Sequence, residues 1–186
     1  SREAPMNLEP LAIPDVLLIE PQVFHDSRGF FFESFNQKRF DEAMGRRIQF
    51  VQDNHSRSQR NVLRGLHYQV EQAQGKLIRV VEGEIFDIAV DLRRHSATFG
   101  KWVGIELSDK RPQQLWIPEG FAHGFLVLSE FASVLYKTTD YYAPEFERCL
   151  AWNDPTVDIA WPLQGSPILS EKDQRGLAWE EVEVFF

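Results

Sequence analysis

The chain has 186 residues, with 20 Lys and Arg against 28 Asp and Glu, for a formal net charge of −8. That length suits one domain burying roughly 70% of the surface its unfolded form would expose, and the acidic balance argues against a nucleic-acid partner held by bulk attraction. Any anionic ligand must therefore be gripped by a local cluster of cations. The single Cys149 excludes an internal disulfide and fits a reducing, cytoplasmic compartment, and no signal peptide is legible near the N-terminus. No apolar run approaches the roughly 20 residues of a membrane span; the best, 120–136, is broken by His123, Ser129 and Glu130. Residues 1–5 precede the first Met and read as an expression remnant outside the fold, leaving 6–186 as the expected single domain.

Short runs rich in β-branched and aromatic residues recur between turn signals at 16–19, 29–35, 62–69, 76–81, 84–92, 102–107, 113–117, 123–128 and 133–139. They predict an all-β sandwich or barrel. Asn36 is placed to cap a helix through Phe40 and Met44, with Gly45 as its stop. In the run 62–69, Arg64 and His67 stand three apart, so strict alternation would send them to opposite faces. They meet in one pocket only if the strand kinks, and Gly65 between them is the residue expected at a bulge. In 84–92, Phe86, Ile88, Val90 and Leu92 share one side and Asp87 and Asp91 the other, which predicts a half-buried strand. The turn Pro118-Glu119-Gly120 leads into Phe121-Ala122-His123-Gly124-Phe125, where His123 reads equally as a packed core histidine or a ligand contact. Tyr136, Thr138 and Asp140 share a strand face, with Tyr141 and Tyr142 at its end. Ser170-Glu171-Lys172-Asp173 has the spacing of a helix capping box.

The chain has neither G-x-G-x-x-G nor G-x-x-x-x-G-K-[ST], so dinucleotide and Walker-type sites are not expected. His25, His55, His67, His95 and His123 include no pair at chelating strand spacing; His67, Glu71 and His123 form the alternative metal set.

Several segments carry a resemblance. Arg64-Gly65-Leu66-His67-Tyr68-Gln69, Gly75-Lys76-Leu77, Pro118 to Phe125, Tyr136-Lys137, Asp140-Tyr141-Tyr142, Trp152-Asn153-Asp154-Pro155 and Leu169-Ser170-Glu171-Lys172-Asp173 resemble the dTDP-4-dehydrorhamnose 3,5-epimerase family, in order and at compatible spacing. The resemblance implies a cupin-type jelly roll (double-stranded β-helix) with short peripheral helices, a homodimer working without metal or other cofactor. Pro118-x-Gly120-x-x-His123 is similar to the second cupin motif, whereas the paired histidines of the metal-binding first motif are missing. One departure is Val70-Glu71-Gln72-Ala73, where members often carry a proline.

The implied substrate is a dTDP-linked 4-keto-6-deoxy sugar, whose two carbons flanking the ketone are inverted through enolates. The resemblance assigns His67 as base, Asp173 as its partner, Lys76 as the cation at the enolate and Tyr136 as proton donor. Imidazole titrates near neutral pH and a phenol stays protonated there, so both suit those roles. It also assigns substrate contacts to Arg28, Glu33, Gln52, Asp53, Asn54, Arg64, His123, Tyr142, Glu147 and Lys172, with Arg28 and Glu33 reaching in from a partner subunit. Alternatives are a single-carbon epimerase, a catalytically silent sugar-nucleotide binder and a metal-dependent cupin oxygenase.

Overall fold

Alternating side chains build two antiparallel sheets that bury one face each against the other. The computed structural model describes residues 6–186; residues 1–5 lie outside the described residues. The first sheet runs in the order β1 (Asn7–Pro10), β2 (Leu17–Glu20), β10 (Gln114–Ile117), β7 (Lys76–Glu82), β12 (Phe131–Thr138), β5 (Gln52–Gln59). The second runs β13 (Glu147–Cys149), β6 (Leu63–Gln69), β11 (Phe121–Val127), β8 (Glu84–Asp91), β9 (Trp102–Ser108). A separate hairpin pairs β3 (Phe24–Asp26) with β4 (Gly29–Phe31). The strand expected at 29–35 is thus only the second arm of that hairpin.

Ile78, Val80, Leu115 and Val134 of the first sheet meet Ile85, Ala89, Val103 and Phe125 of the second in a single buried cluster, the sandwich core. The architecture is the all-β jelly roll expected. Outside the second sheet, Leu66, Ile88, Val90 and Ala122 pack beneath Val157, Trp161, Trp179 and Phe185 of the C-terminal segment. Outside the first, Phe40 of α1 (Gln37–Met44) packs with Ile48, Leu77 and Trp116. The Asn36 side chain accepts from the Arg39 N–H at 3.1 Å, and Gly45 closes the helix at φ 70°.

β8 alternates as its sequence implies, but its environment is reversed. The apolar Phe86, Ile88 and Val90 face outward under the C-terminal segment, while Asp87 shares the inter-sheet face with Ile85 and Ala89 and is fully buried. A half-buried strand was expected; the acid side is instead the inner one, because His123 on the neighbouring β11 supplies Asp87 with a partner.

β5 was not anticipated. Its sequence Gln-Asp-Asn-His-Ser-Arg-Ser-Gln has no apolar face, since Gln52, Asn54 and Ser56 point toward a polar cavity and Asp53, His55 and Arg57 toward solvent. α2 (Glu171–Gln174) forms half of the capping box: Ser170 Oγ accepts from the Asp173 N–H at 3.1 Å. The Asp173 carboxylate is turned instead toward β6.

Candidate active site

The cavity lies between the sheets at the end where β5 of the first faces β6 and β13 of the second, with a volume near 340 Å³. That falls within the roughly 300–1,000 Å³ of ordinary ligand pockets. β6 contributes Arg64 and His67, and the expected bulge brings them together. His123 pairs with His67 across β11, but Phe125 pairs with Arg64, so β6 holds one residue more than its partner. Gly65 sits there at φ +119°, and a Cβ on it would lie 2.6 Å from the His123 carbonyl oxygen. Only glycine fits.

His67 Nε2 meets Asp173 Oδ1 at 2.5 Å, and the second carboxylate oxygen accepts the Gly65 N–H at 3.2 Å. Burial would raise the Asp173 carboxyl, but its bonds to His67 and Gly65 outweigh that and hold it below the usual carboxylate range. With Nε2 engaged, Nδ1 is the ring nitrogen left for a substrate.

Lys76 enters from β7, on the other sheet. It is buried, and among the described residues no group hydrogen-bonds its ammonium. Burial lowers it to about 8, with the charges of Asp87 and Glu147 partly opposing the fall. Tyr136 of β12 is the cross-strand neighbour of Asn54, which hydrogen-bonds its phenol; burial raises its pKa. Its ring lies 6.4 Å from that of His123. Base and phenol candidates therefore project from opposing sheets, with an ammonium group in the same cavity.

Arg64 Nε donates to Ser58 Oγ at 2.9 Å, and among the described residues no acceptor meets its terminal nitrogens. Glu147 of β13 is ion-paired with Lys172 of α2, and exposed Tyr142 donates its N–H to Gln52 Oε1 at 3.0 Å. The lining cations Arg64, Lys76 and Lys172 outnumber the one lining carboxylate, Glu147, in a chain of net negative charge. This is the local cluster that an anionic ligand requires. The proline-free loop after β6 is tied down by Gln69, which donates to Gln72 O at 2.8 Å.

Three expected contacts lie elsewhere. Asp53 faces the outer side of β5 and pairs with Lys137, because alternation gives the cavity to Gln52 and Asn54; its place in this chain's own pocket is corrected accordingly. Arg28, with 88% of its side chain exposed, pairs with Asp26 at the tip of the β3–β4 hairpin, and Glu33 accepts from Asn36 nearby. Glu71 is exposed and does not line the cavity, so the alternative metal set is not assembled. Another trio is: His67, Cys149 and Asp173 hold donor atoms within 4.8 Å of one another.

Two residues were missed. Asp87 binds His123 Nε2 at 2.9 and 3.0 Å behind the cavity wall, and its position opposite an apolar strand face was the available signal. Ser56 lines the cavity with a buried hydroxyl that has no partner among the described residues, and its sequence offers no signal.

A jelly roll whose inter-sheet cavity combines a carboxylate-oriented imidazole, a buried ammonium and a phenol is equipped for proton transfer at carbon, the chemistry of an epimerase. The family model for dTDP-4-dehydrorhamnose 3,5-epimerase matches residues 10–181. The chain is 65% identical over 175 residues to the dTDP-4-dehydrorhamnose 3,5-epimerase of Pseudomonas aeruginosa, covering 94% of this chain and 97% of that one. It is 58% identical to that of Shigella flexneri, covering 97% and 99%. A crystal structure of dTDP-6-deoxy-D-glucose-3,5-epimerase from Legionella pneumophila, in complex with dTDP-4-keto-L-rhamnose, superposes with a TM-score of 0.93 at 51% identity, covering 96% and 95%. The chain belongs to the dTDP-4-dehydrorhamnose 3,5-epimerase family, isomerases of cupin-type jelly-roll fold.

Proposed function

We propose that this protein converts dTDP-4-dehydro-6-deoxy-D-glucose to dTDP-4-dehydro-L-rhamnose by inverting C3 and C5. The observation that carries the mechanism is the placing of His67 and Tyr136 on opposing sheets of one cavity that also holds Lys76. His67 Nδ1 takes the proton from the carbon beside the ketone, and the C–H electron pair moves onto the carbonyl oxygen. A positioned base supplies only about 10²- to 10⁴-fold, so the enolate needs its own stabilisation. The Lys76 ammonium, desolvated and without an acceptor among the described residues, donates to that oxygen, a contribution of roughly 3–4 kcal/mol. Tyr136 returns a proton to the opposite face, the C–H bond re-forms with inverted configuration, and the tyrosinate and imidazolium re-equilibrate with solvent. The same groups then serve the second carbon.

Arg64 and Lys172 hold the diphosphate, Gln52, Asn54, His123 and Glu147 contact the remainder, and Tyr142 stacks on thymine at the mouth, worth roughly 1–3 kcal/mol. The chain acts in the cytoplasm as a homodimer, and the exposed hairpin carrying Arg28 and Phe30, which is 70% exposed, reaches into the neighbouring copy. Arg28 and Glu33 thereby reach the partner's nucleotide rather than their own.

Turnover of the keto sugar in deuterated buffer tests the reaction. Deuterium at both C3 and C5 is expected. Exchange at one carbon alone would reassign the chain as a single-carbon epimerase, and none at either would overturn the proposal.

A further inference from the structure

Cys149 has no part in the mechanism above, yet it sits beside the catalytic dyad. It is the direct cross-strand partner of His67, so the two side chains share a face, and its Sγ lies 3.9 Å from Asp173 Oδ1. Imidazole, thiol and carboxylate thus converge from three elements, β6, β13 and α2.

We propose that His67, Cys149 and Asp173 form an inhibitory site for a soft divalent cation, zinc above all, held on the Nε2 side of the imidazole. The inference rests on His67 being the base. Zinc bonds of about 2.0–2.3 Å to N, O and S in a tetrahedron place the donors roughly 3.4–3.6 Å apart. The Cys149–Asp173 separation of 3.9 Å must close by a few tenths of an ångström, and the His67–Asp173 contact of 2.5 Å must open by about one. The mixed N, S, O set selects zinc, cobalt and copper and disfavours magnesium and calcium, which require oxygen donors.

The proton balance explains the inhibition. In the free enzyme the proton between His67 and Asp173 resides on Nε2 and leaves Nδ1 as the acceptor. Metal on Nε2 moves that proton to Nδ1, so the ring has no lone pair left for the substrate's C–H. The thiol, which burial and the nearby Asp173 charge raise to about 12, loses its proton to solvent on ligation. One proton is therefore released per metal bound, and apparent affinity rises about tenfold per pH unit near neutrality.

Full-length protein would be titrated with zinc, magnesium and cobalt(II) while turnover, stoichiometry and the cobalt–thiolate charge-transfer absorption are followed. Expected are one metal per chain, inhibition by zinc but not magnesium, reversal by a chelator, and a thiolate band. Cys149→Ser should keep metal-free turnover, lose the band, and lose zinc sensitivity by more than the roughly 10- to 100-fold typical of a mere outer-sphere partner; Cys149→Ala serves as a second variant should the first fold poorly. Zinc inhibition unchanged in both variants, or cobalt binding without a thiolate band, would overturn the site. The cobalt spectrum needs no substrate, so failure of this site is distinguishable from failure of the epimerase reading.

Discussion

Among the described residues two His–Asp pairs have their histidines on the adjacent strands β6 and β11, and their surroundings separate them. In His67–Asp173 the imidazole is 29% exposed to the cavity and its carboxylate is anchored by a backbone N–H; in His123–Asp87 the side chains are 7% and 0% exposed. The first pair keeps one edge of its imidazole open to the cavity. In the second, burial pushes His123 down and Asp87 up, so both are driven toward their neutral forms. The same two residue types thus leave an imidazole edge open to the cavity in one place and are closed into its wall in the other.

Several experiments would break or sharpen that contrast. The largest effect is expected for His67→Asn, with turnover and C–H exchange down by at least about 10²–10⁴-fold at nearly unchanged urea midpoint. A parallel loss of stability would make His67 structural and dissolve the distinction. His123→Ala leaves the buried Asp87 carboxyl without its partner and should cost about 1–3 kcal/mol in urea unfolding, most of it recovered when Asp87→Leu accompanies His123→Leu. A single variant as stable as the parent would show that the second pair supports nothing.

A smaller, pH-dependent effect belongs to Lys76, whose ammonium is lost as pH rises through about 8. Activity should fall across that step, and Lys76→Arg should abolish the step whatever residual rate it retains. Stability moves the other way: between about 8 and the ordinary 10.5 the unfolded chain binds more protons at this residue, so the burial penalty present below about 8 is progressively relieved. Thermal melts against Lys76→Met check the sign; a Lys76-dependent stability that falls over that window contradicts it. The smallest effect is at Lys172→Ala. Its partly exposed pair with Glu147 is worth about 0–1 kcal/mol of stability, so a raised KM should dominate, and a change confined to kcat would remove Lys172 from ground-state binding.

Much of the site was legible because its chemistry leaves local marks. Arg64 and His67 at a spacing wrong for a flat strand required a kink, and Gly65 named its position. The Asn36 and Gly45 helix signals worked for the same reason: a cap is a short-range event. Asp173 was visible through resemblance alone, since the capping-box pattern assigned its carboxylate to its own helix, whereas β6, over 100 residues away in sequence, claims both oxygens. β5 and the inner face of β8 were illegible by hydrophobic pattern because a ligand cavity inverts that pattern. Residues lining it are polar where a core would be apolar, as Asn54 and Ser56 show, and the apolar side of β8 is covered only by a distant C-terminal segment.

The extra residue in β6 has one further consequence. The amide that steadies the second oxygen of Asp173 belongs to Gly65, so part of the dyad's alignment is written in main chain. Scanning that swaps side chains one at a time will never delete this donor and will credit its contribution to neighbours; replacing the amide by an ester at that linkage would expose it.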